Sequence, residues 1–443
     1  MRAAIVALVL PLALGADSPG GVARSQPAAL ADTATTIRFD VAGIPVILRR
    51  NTANEVVVAN LYLLGGARQL SPATAGIETL LLGASERGTR RFPGALARQR
   101  TARLGSSIDL EANDDWSAIG LHAIRETFDS TWAVLADRVM TPTLASADVE
   151  IVRAQLITNA RDRATDADDA ATVLADSLLY RQHPYAVDVT GTAASLAGIT
   201  LAQLRDYHAR QFVTSRMLLV VVGNVDRVQV ERLVRATLAT LPRGSYRWTP
   251  PPPIPANGRA LAVLGRALPT NYVLGYAPGP PATSPDYTAL RVAAAVLSGR
   301  LFTEVRSRRN LTYAVEAPFL ERANAVAGLY VTTVDPNQVL TIMRAELSAL
   351  QNETVDPVGL RRLEQSFITE YYLKNETNAD QANVLARAEL YQGDYRAADR
   401  FMERLRRVTP EDVQRVARAY LKDFRFAYVG DPAKLDRGLI AQF

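Results

Sequence analysis

Histidine is the commonest metal ligand in proteins, and this chain of 443 residues has three, His122, His183 and His208. Two ligands on one helix face the same zinc ion only when they lie three or four residues apart. No two of these histidines lie within five residues of each other, so neither H-E-x-x-H nor H-x-x-E-H occurs. We therefore interpret His122 as a sheet or core residue, His183 as part of a loop and His208 as a helix residue.

Other catalytic signatures are also missing from the sequence. The chain has no cysteine, which excludes disulfides, thiol nucleophiles and thiolate metal sites. Ser298-Gly299 lacks the preceding glycine of a G-x-S-x-G turn, and no glycine-rich phosphate loop occurs. A Ser/His/Asp triad stays open, because its members need not be close in sequence. The net charge of +5 comes from 50 basic and 45 acidic residues without a long basic run, so we expect no nucleic acid partner.

The elements that would position a site alternate between apolar strands and longer helical stretches. Consecutive prolines within residues 243–258 force an extended backbone and mark the best linker candidate. On each side of this linker, a threonine that can cap a helix, Thr200 or Thr409, precedes a helical stretch and an apolar strand that ends at Gly223 or Gly430. The repeated order predicts two tandem copies of one α+β unit.

The N-terminus is typical of a secretory signal. Met1-Arg2 is positively charged, the run from Ala3 to Leu14 is apolar but too short to span a bilayer, and Gly15-Ala16 are small. We expect export across the inner membrane and residence in the periplasm, with an uncleaved N-terminal anchor as the alternative and no later membrane span. The predicted organisation is a signal peptide (1–16), a flexible leader (17–35), an N-terminal domain (36–242), the linker (243–258) and a C-terminal domain (259–443).

Several blocks, in order along the chain, resemble the insulinase/pitrilysin-type (inverzincin) family of zinc peptidases, which includes the mitochondrial processing peptidases and bacterial two-subunit relatives. The resemblance runs from about residue 37 to 435. It implies an α+β fold of two tandem homologous domains, each a mostly antiparallel sheet with helices packed on one face. The blocks are Gly65-Gly66-Ala67-Arg68, Ala75-Gly76-Ile77, Glu86-Arg87-Gly88-Thr89, Leu104-Gly105-Ser106-Ser107-Ile108, His183-Pro184-Tyr185 with Gly191-Thr192, and Leu218 to Val225.

The resemblance implies that the family's inverted zinc motif is degenerate in this chain. Thr79 and Gly83 stand where the family has its two histidines, Leu82 stands where it has the general-base glutamate, and Asn159 stands where it has the third ligand. None of these side chains binds zinc as imidazole or carboxylate would, and leucine cannot activate water. Glu78 is one residue away, which turns it by about 100° on a helix. We expect no zinc in this chain.

The second half has a further block of the family. The stretch from Leu301 to Val315 resembles its LF-x-E-[LV]-R-x-x-x-G-L-x-Y-x-V pattern. In active relatives the matching Arg and Tyr reach toward a substrate bound at the zinc of the opposite half or of a partner subunit. The resemblance gives these places to Arg306 and Tyr313, with Asn310 in place of the usual glycine. The alternative is that Arg306 is a solvated helix residue and Tyr313 a core aromatic.

These observations favour a non-catalytic subunit of a heterodimeric zinc metallopeptidase that degrades peptides. The partner would supply the zinc-bearing half, and this chain would supply Arg306, Tyr313 and half of an enclosing chamber for peptide substrates. The alternative is a zinc-less peptide-binding or assembly protein of the same fold. In both cases the chain itself carries no cofactor and no independent activity, and in the first case zinc belongs to the partner.

Overall fold

The structure is a computed structural model that describes residues 36–256 and 258–443. The signal peptide and the leader predicted for residues 1–35 lie outside the described residues. Two mixed β-sheets, one in each half of the chain, form the centre of the fold. Both are mostly antiparallel, and helices pack on them, so the predicted α+β class with two tandem homologous domains is confirmed.

The first sheet has the strand order β1-β2-β6-β3-β5-β4. Its strands are antiparallel except for β2 and β6, which are parallel and place Val46 opposite Leu219. Its edge strand β4 pairs only with β5 among the described strands. The six strands are β1 (Thr36–Val41), β2 (Ile44–Arg50), β3 (Val56–Leu64), β4 (Ser107–Ala112), β5 (Trp116–Ile124) and β6 (Met217–Gly223).

The second sheet has the order β10-β11-β8-β12-β7, and β9 also pairs with β11. Only β12 and β7 are parallel, with Phe426 opposite Leu261. The strands are β7 (Ala260–Gly265), β8 (Asn271–Pro281), β9 (Val315–Glu316), β10 (Phe319–Leu320), β11 (Asn324–Thr333) and β12 (Arg425–Gly430).

The α-helices of the described chain fall into two series, one for each half. The first series is α1 (Ile77–Ser85), α2 (Leu96–Arg103), α3 (Phe128–Met140), α4 (Ser146–Thr165), α5 (Ala167–Leu179), α6 (Ala193–Gly198), α7 (Leu201–Gln211) and α8 (Arg227–Ala236). The second is α9 (Asp286–Leu301), α10 (Pro336–Asn352), α11 (Pro357–Lys374), α12 (Asn378–Gln392), α13 (Phe401–Arg406), α14 (Pro410–Tyr420) and α15 (Arg437–Ile440).

The two halves repeat one topology. In each, the last strand inserts into the sheet between two earlier ones: β6 lies between β2 and β3, and β12 lies between β7 and β8. The inserted strand is parallel to one neighbour and antiparallel to the other in both cases. By order along the chain, α1, α4 and α5 of the first half therefore correspond to α9, α11 and α12 of the second. The predicted tandem duplication has this structural basis.

The halves exchange one helix each, and this exchange buries both faces of both sheets. On β3, Leu61 points into the core of its own half, whereas Tyr62 packs on Leu385 of α12 from the second half. In return, Ala171 of α5 packs on Leu274 of the second sheet. Sequence analysis predicted helices on one face only, and the exchanged helix covers the other. Burial on both faces explains why β6 is apolar along its whole length.

Helix starts follow the caps that the sequence contains. The Gln203 N–H donates to Oγ1 of Thr200 at the start of α7, and the Asp412 N–H donates to Oγ1 of Thr409 at the start of α14, as predicted. Helix α5 begins at Ala167, because the carboxylate of Asp166 accepts hydrogen bonds from the first turn.

The proline-rich segment that was predicted as a linker is extended and held in place. Between residues 241 and 259 its described part forms neither helix nor strand. Trp248 Nε1 donates to the Leu390 carbonyl at 2.9 Å, and Asn324 Nδ2 donates to the Pro252 carbonyl at 2.7 Å. The linker and domain bounds remain predictions.

None of the helices in the described residues is long and apolar enough to cross a membrane.

Candidate functional site

Helix α1 stands where the resemblance puts the family's active-site helix, and its start is tightly packed. Gly76 adopts a left-handed conformation with φ of 84° at the N-cap. A Cβ atom on Gly76 would lie 2.8 Å from Cα of Gly191, so only glycine fits this approach. Two of the blocks quoted from the sequence, Ala75-Gly76-Ile77 and Gly191-Thr192, are therefore in direct contact.

The two positions of the family's histidines lie on the same face of α1. Thr79 and Gly83 are the only residues of this helix that are partly exposed, and a spacing of four puts them one above the other. Thr79 Oγ1 already donates to the Val189 carbonyl at 2.8 Å. A Cβ atom on Gly83 would lie 2.8 Å from Cγ1 of Val152 on α4. The side chain of Val152 therefore occupies the space that a histidine at this position would need. This face presents no imidazole and no open metal position.

The position of the general base is part of the hydrophobic core. Leu82 is 2% exposed and belongs to the apolar cluster of the first half. Its carbonyl accepts a hydrogen bond from Oγ of Ser85 at 2.6 Å. A buried leucine can neither hold nor accept a proton, so this position cannot activate a water molecule.

The position of the third ligand is polar but solvent-facing. Asn159 is exposed on α4, and Gln155 Nε2 donates to its Oδ1 at 2.9 Å. Helices α1 and α4 run antiparallel, with Arg87 just after α1 3.3 Å from Asp148 at the start of α4. Within residues 36–256 and 258–443, no group of three or more histidine, aspartate or glutamate side chains could hold a metal ion.

The three histidines lie on separate elements, as their spacing predicts. His122 is on β5, with Nε2 3.7 Å from Asp109. His183 caps a short 3-10 turn and its Nε2 lies 3.0 Å from the Pro252 carbonyl, while His208 Nε2 on α7 lies 2.8 Å from the Val139 carbonyl. Burial lowers the pKa of both His183 and His208, so these two are neutral, structural side chains.

Glu78, the only carboxylate on α1, forms a buried ion pair. It is 4% exposed, and its Oε2 accepts hydrogen bonds from Arg216 Nη2 at 3.0 Å and from the Tyr207 hydroxyl at 2.8 Å. Burial alone would lower the pKa of Arg216, but the charge of Glu78 outweighs it and the pKa is raised. Glu78 is therefore held by Arg216 and Tyr207 inside the fold, and it cannot replace a missing zinc ligand.

Arg306 lies in a π-helical segment, Phe302–Ser307, that continues α9. Its side chain is exposed, and its guanidinium lies over the Phe302 ring at 5.1 Å. Among the described residues it has no hydrogen-bond or salt-bridge partner. Arg308, two residues away, differs in this respect, because it pairs with Glu304 at 2.5 Å. Arg306 is thus a cation without a carboxylate partner in the described chain, close to one that has such a partner.

Tyr313 follows the turn that ends this segment. Asn310 has φ of 51°, the left-handed conformation that we expected it to tolerate in place of glycine. Thr312 then anchors the loop by donating to the Ala314 carbonyl at 2.9 Å. Tyr313 is 88% exposed and finds no hydrogen-bond partner in the described chain, so it is not the core aromatic of the alternative interpretation. The structure leaves the roles of Arg306 and Tyr313 as predictions.

Sequence analysis missed a polar junction between the halves. Asp115 is 1% exposed, and its carboxylate accepts hydrogen bonds from Tyr185 at 2.6 Å and from Tyr391 of α12 at 2.8 Å. Next to it, Arg322 of the second half pairs with Asp114 at 2.9 Å. Partial burial raises the pKa of Asp114 to about 6, although the positive charge of Arg322 acts to lower it. This junction holds the exchanged helix and includes Tyr185, the last residue of the His-Pro-Tyr block.

The fold and the site together define a two-domain, peptidase-like protein. The face of α1 that corresponds to the family's metal site presents no side chain that binds a metal. A family model described as the Peptidase M16 inactive domain matches residues 198–367. Over these residues the chain is similar to the M16 peptidases. The recognition made from the sequence blocks is thereby confirmed.

Individual relatives agree with this assignment. An uncharacterized zinc protease of Mycobacterium tuberculosis is 27% identical over 433 residues, which cover 94% of this chain and 96% of the relative. Cytochrome b-c1 complex subunit 1 of Bos taurus is 20% identical over 254 residues, which cover 57% of this chain and 53% of that protein. The crystal structure of a peptidase M16 inactive domain from Pseudomonas fluorescens superposes with a TM-score of 0.81 at 19% identity, and covers 89% of this chain and 98% of that one.

Proposed function

We propose that this chain is the non-catalytic subunit of a heterodimeric zinc metallopeptidase that degrades peptides. The observation that carries the proposal is a contrast between two faces. The face of α1 that would hold zinc presents Thr79 and Gly83, whereas Arg306 and Tyr313 stand exposed without partners in the described chain. The chain thus has no metal-binding face, but it presents a cation and a phenol that no described residue binds. This combination fits a heterodimer in which one subunit binds zinc and the other binds the substrate.

The two side chains suit a peptide held at a neighbouring zinc ion. A guanidinium binds a carboxylate or a peptide carbonyl through strong, charge-assisted hydrogen bonds. A phenol can donate to the oxyanion that develops when water attacks a peptide carbonyl. In the proposal, Arg306 positions the substrate and Tyr313 stabilises the oxyanion, and the partner's zinc ion polarises the carbonyl and activates the water.

The enclosing chamber would bind peptides mainly through their backbone. An extended peptide that adds to a free sheet edge gains main-chain hydrogen bonds with little sequence specificity. The free edge of β4 in the first half offers such a strand. The predicted signal peptide supports a periplasmic site of action, where the substrates would be short or unfolded peptides.

Reconstitution tests the proposal. The partner is to be sought in an adjacent reading frame with an intact H-x-x-E-H motif, and hydrolysis of an internally quenched peptide is measured for each chain alone and for the mixture. We expect hydrolysis only when both chains are present, and its loss when a chelator removes zinc. Full activity of the partner by itself, or hydrolysis by this chain by itself, would contradict the proposal.

The second candidate is an assembly protein without a peptidase role. The similarity to subunit 1 of the cytochrome b-c1 complex favours it, because that protein is named as a part of a larger assembly. The same reconstitution separates the two candidates. A stable complex that hydrolyses no peptide, or whose rate is that of the partner alone, would favour assembly.

A further inference from the structure

The second half contains a cavity at the place that corresponds to the degenerate zinc face of the first half. The cavity has a volume of about 1240 Å³ and lies beside the start of α9, the end of α11 and one face of α12. Helices α9 and α11 correspond to α1 and α4, between which the family's metal positions lie. Gly83 and Val152 close that space in the first half, whereas the counterpart in the second half is open.

Basic side chains outnumber acidic ones on the wall of the cavity. Among the described residues, eight lysine or arginine side chains line it but only four aspartate or glutamate side chains. Glu321 is shared by two of the cations, Arg291 at 2.5 Å and Arg387 at 3.5 Å. Carboxylates outside the wall pair with other lining cations, so Arg404 is the one lining cation that has no carboxylate partner among the described residues.

Arg404 is the cation with the least compensation. Its guanidinium donates to Oε1 of Gln392 at 2.6 Å and to the Ala397 carbonyl at 2.8 Å, and no carboxylate of the described chain forms a salt bridge with it. Partial burial and the neighbouring positive charge of Arg400 both lower the pKa of Arg404. Two neutral acceptors orient the group but leave its charge unpaired, which is a favourable environment for an anionic ligand.

The cavity also contains an unpaired strand edge. Strand β10, Phe319–Leu320, lies on its wall and pairs with β11 on one side, while no described strand pairs with its other side. Tyr287 packs edge-to-face on Phe319 with ring centroids 5.2 Å apart, which adds an apolar surface next to that edge. An unpaired strand edge in the same cavity as Arg404 fits an extended chain that carries carboxylates.

We propose that this cavity binds an acidic peptide segment, which lies extended along β10 and places its carboxylates on Arg404 and Arg387. The volume is sufficient for several residues, since pockets for small ligands measure roughly 300–1,000 Å³. The site is separate from Arg306 and Tyr313, which follow the opposite end of α9. The inference does not rest on the proposed function, because it concerns binding by this chain alone.

Binding to the isolated chain tests the site. Fluorescence anisotropy is measured with a labelled peptide in which glutamate alternates with valine, and with its counterpart in which glutamine replaces each glutamate. We expect the glutamate peptide to bind at least about tenfold more tightly, because each carboxylate gains charge-assisted hydrogen bonds. Equal affinity of the two peptides, or no binding of the glutamate peptide, would overturn the proposal.

Variants locate the binding in the cavity. Arg404→Gln and Arg387→Gln are each expected to weaken binding of the glutamate peptide about tenfold, roughly the effect of one charged hydrogen bond. Arg387→Gln serves as the second variant because Arg387 is 41% exposed and contributes little to folding. The matched control is Arg210→Gln, an exposed arginine of the first half that pairs with Asp206. Unchanged affinity in folded Arg404→Gln and Arg387→Gln, or an equal loss in Arg210→Gln, would place the binding elsewhere.

Discussion

Replacement of Glu78 by alanine is expected to lower the free energy of unfolding by about 3–5 kcal/mol, as is usual when one partner of a buried ion pair is removed. Arg216 is 1% exposed, so the variant would leave its charge in the core of the first half. The hydroxyl of Tyr207 would lose its acceptor as well. Urea-induced unfolding followed by circular dichroism gives the free energy of unfolding of both proteins.

Two further variants make the Glu78 experiment specific. Asp206→Ala removes the partner of the exposed Arg210, and its effect is expected to stay within about 0.5 kcal/mol. The double variant Glu78→Met/Arg216→Met should be more stable than Glu78→Ala, because it leaves no uncompensated charge. A Glu78→Ala protein as stable as the parent would show that the pair is not buried as described.

Replacement of Arg306 by alanine is expected to lower kcat of the reconstituted peptidase about 100-fold, a typical loss for one group that binds developing charge. Tyr313→Phe, which removes only the hydroxyl, should also act mainly on kcat. Both side chains are exposed and unpaired in the described chain, so neither variant is expected to change stability. The measurement is steady-state hydrolysis of a quenched peptide by the complex of this chain with its zinc-bearing partner.

Arg308→Ala is the matched control for Arg306→Ala. It removes a nearby exposed cation that, unlike Arg306, pairs with a carboxylate, that of Glu304. Turnover should be unchanged in this variant, and the amount of complex recovered by size exclusion should be the same for all variants. Unchanged turnover in both Arg306→Ala and Tyr313→Phe would show that the pair has no part in catalysis.

Local features of the fold could be predicted because their signals lie close together in the sequence. Caps such as Thr200 and Thr409 fix helix starts through bonds that reach three residues along the chain. The degenerate positions stay a prediction, which rests on the recognisable glycines that frame α1. Asn310 was expected to adopt a left-handed conformation for the same local reason, and it does.

Contacts between distant residues could not be predicted from one sequence. Glu78 and Arg216 are 138 positions apart, and Asp115 and Tyr391 are 276 positions apart. Nothing local marks α5 and α12 as the helices that the halves exchange, because amphipathic spacing shows that a face is buried and not what buries it. The cavity of the second half was missed for the same reason, since its arginines come from α9, the loop after β10, α12, α14 and the region of α13, and gather only in the folded chain.

The zinc content of the isolated, folded chain tests the central claim most directly. The chain is incubated with excess zinc, dialysed, and measured by plasma mass spectrometry, with the partner that bears the H-x-x-E-H motif as the positive control. Because Thr79, Leu82, Gly83 and Asn159 offer no ligand set, this account predicts no stoichiometric zinc in this chain and one zinc ion in each partner chain. One zinc ion per molecule of this chain would contradict it.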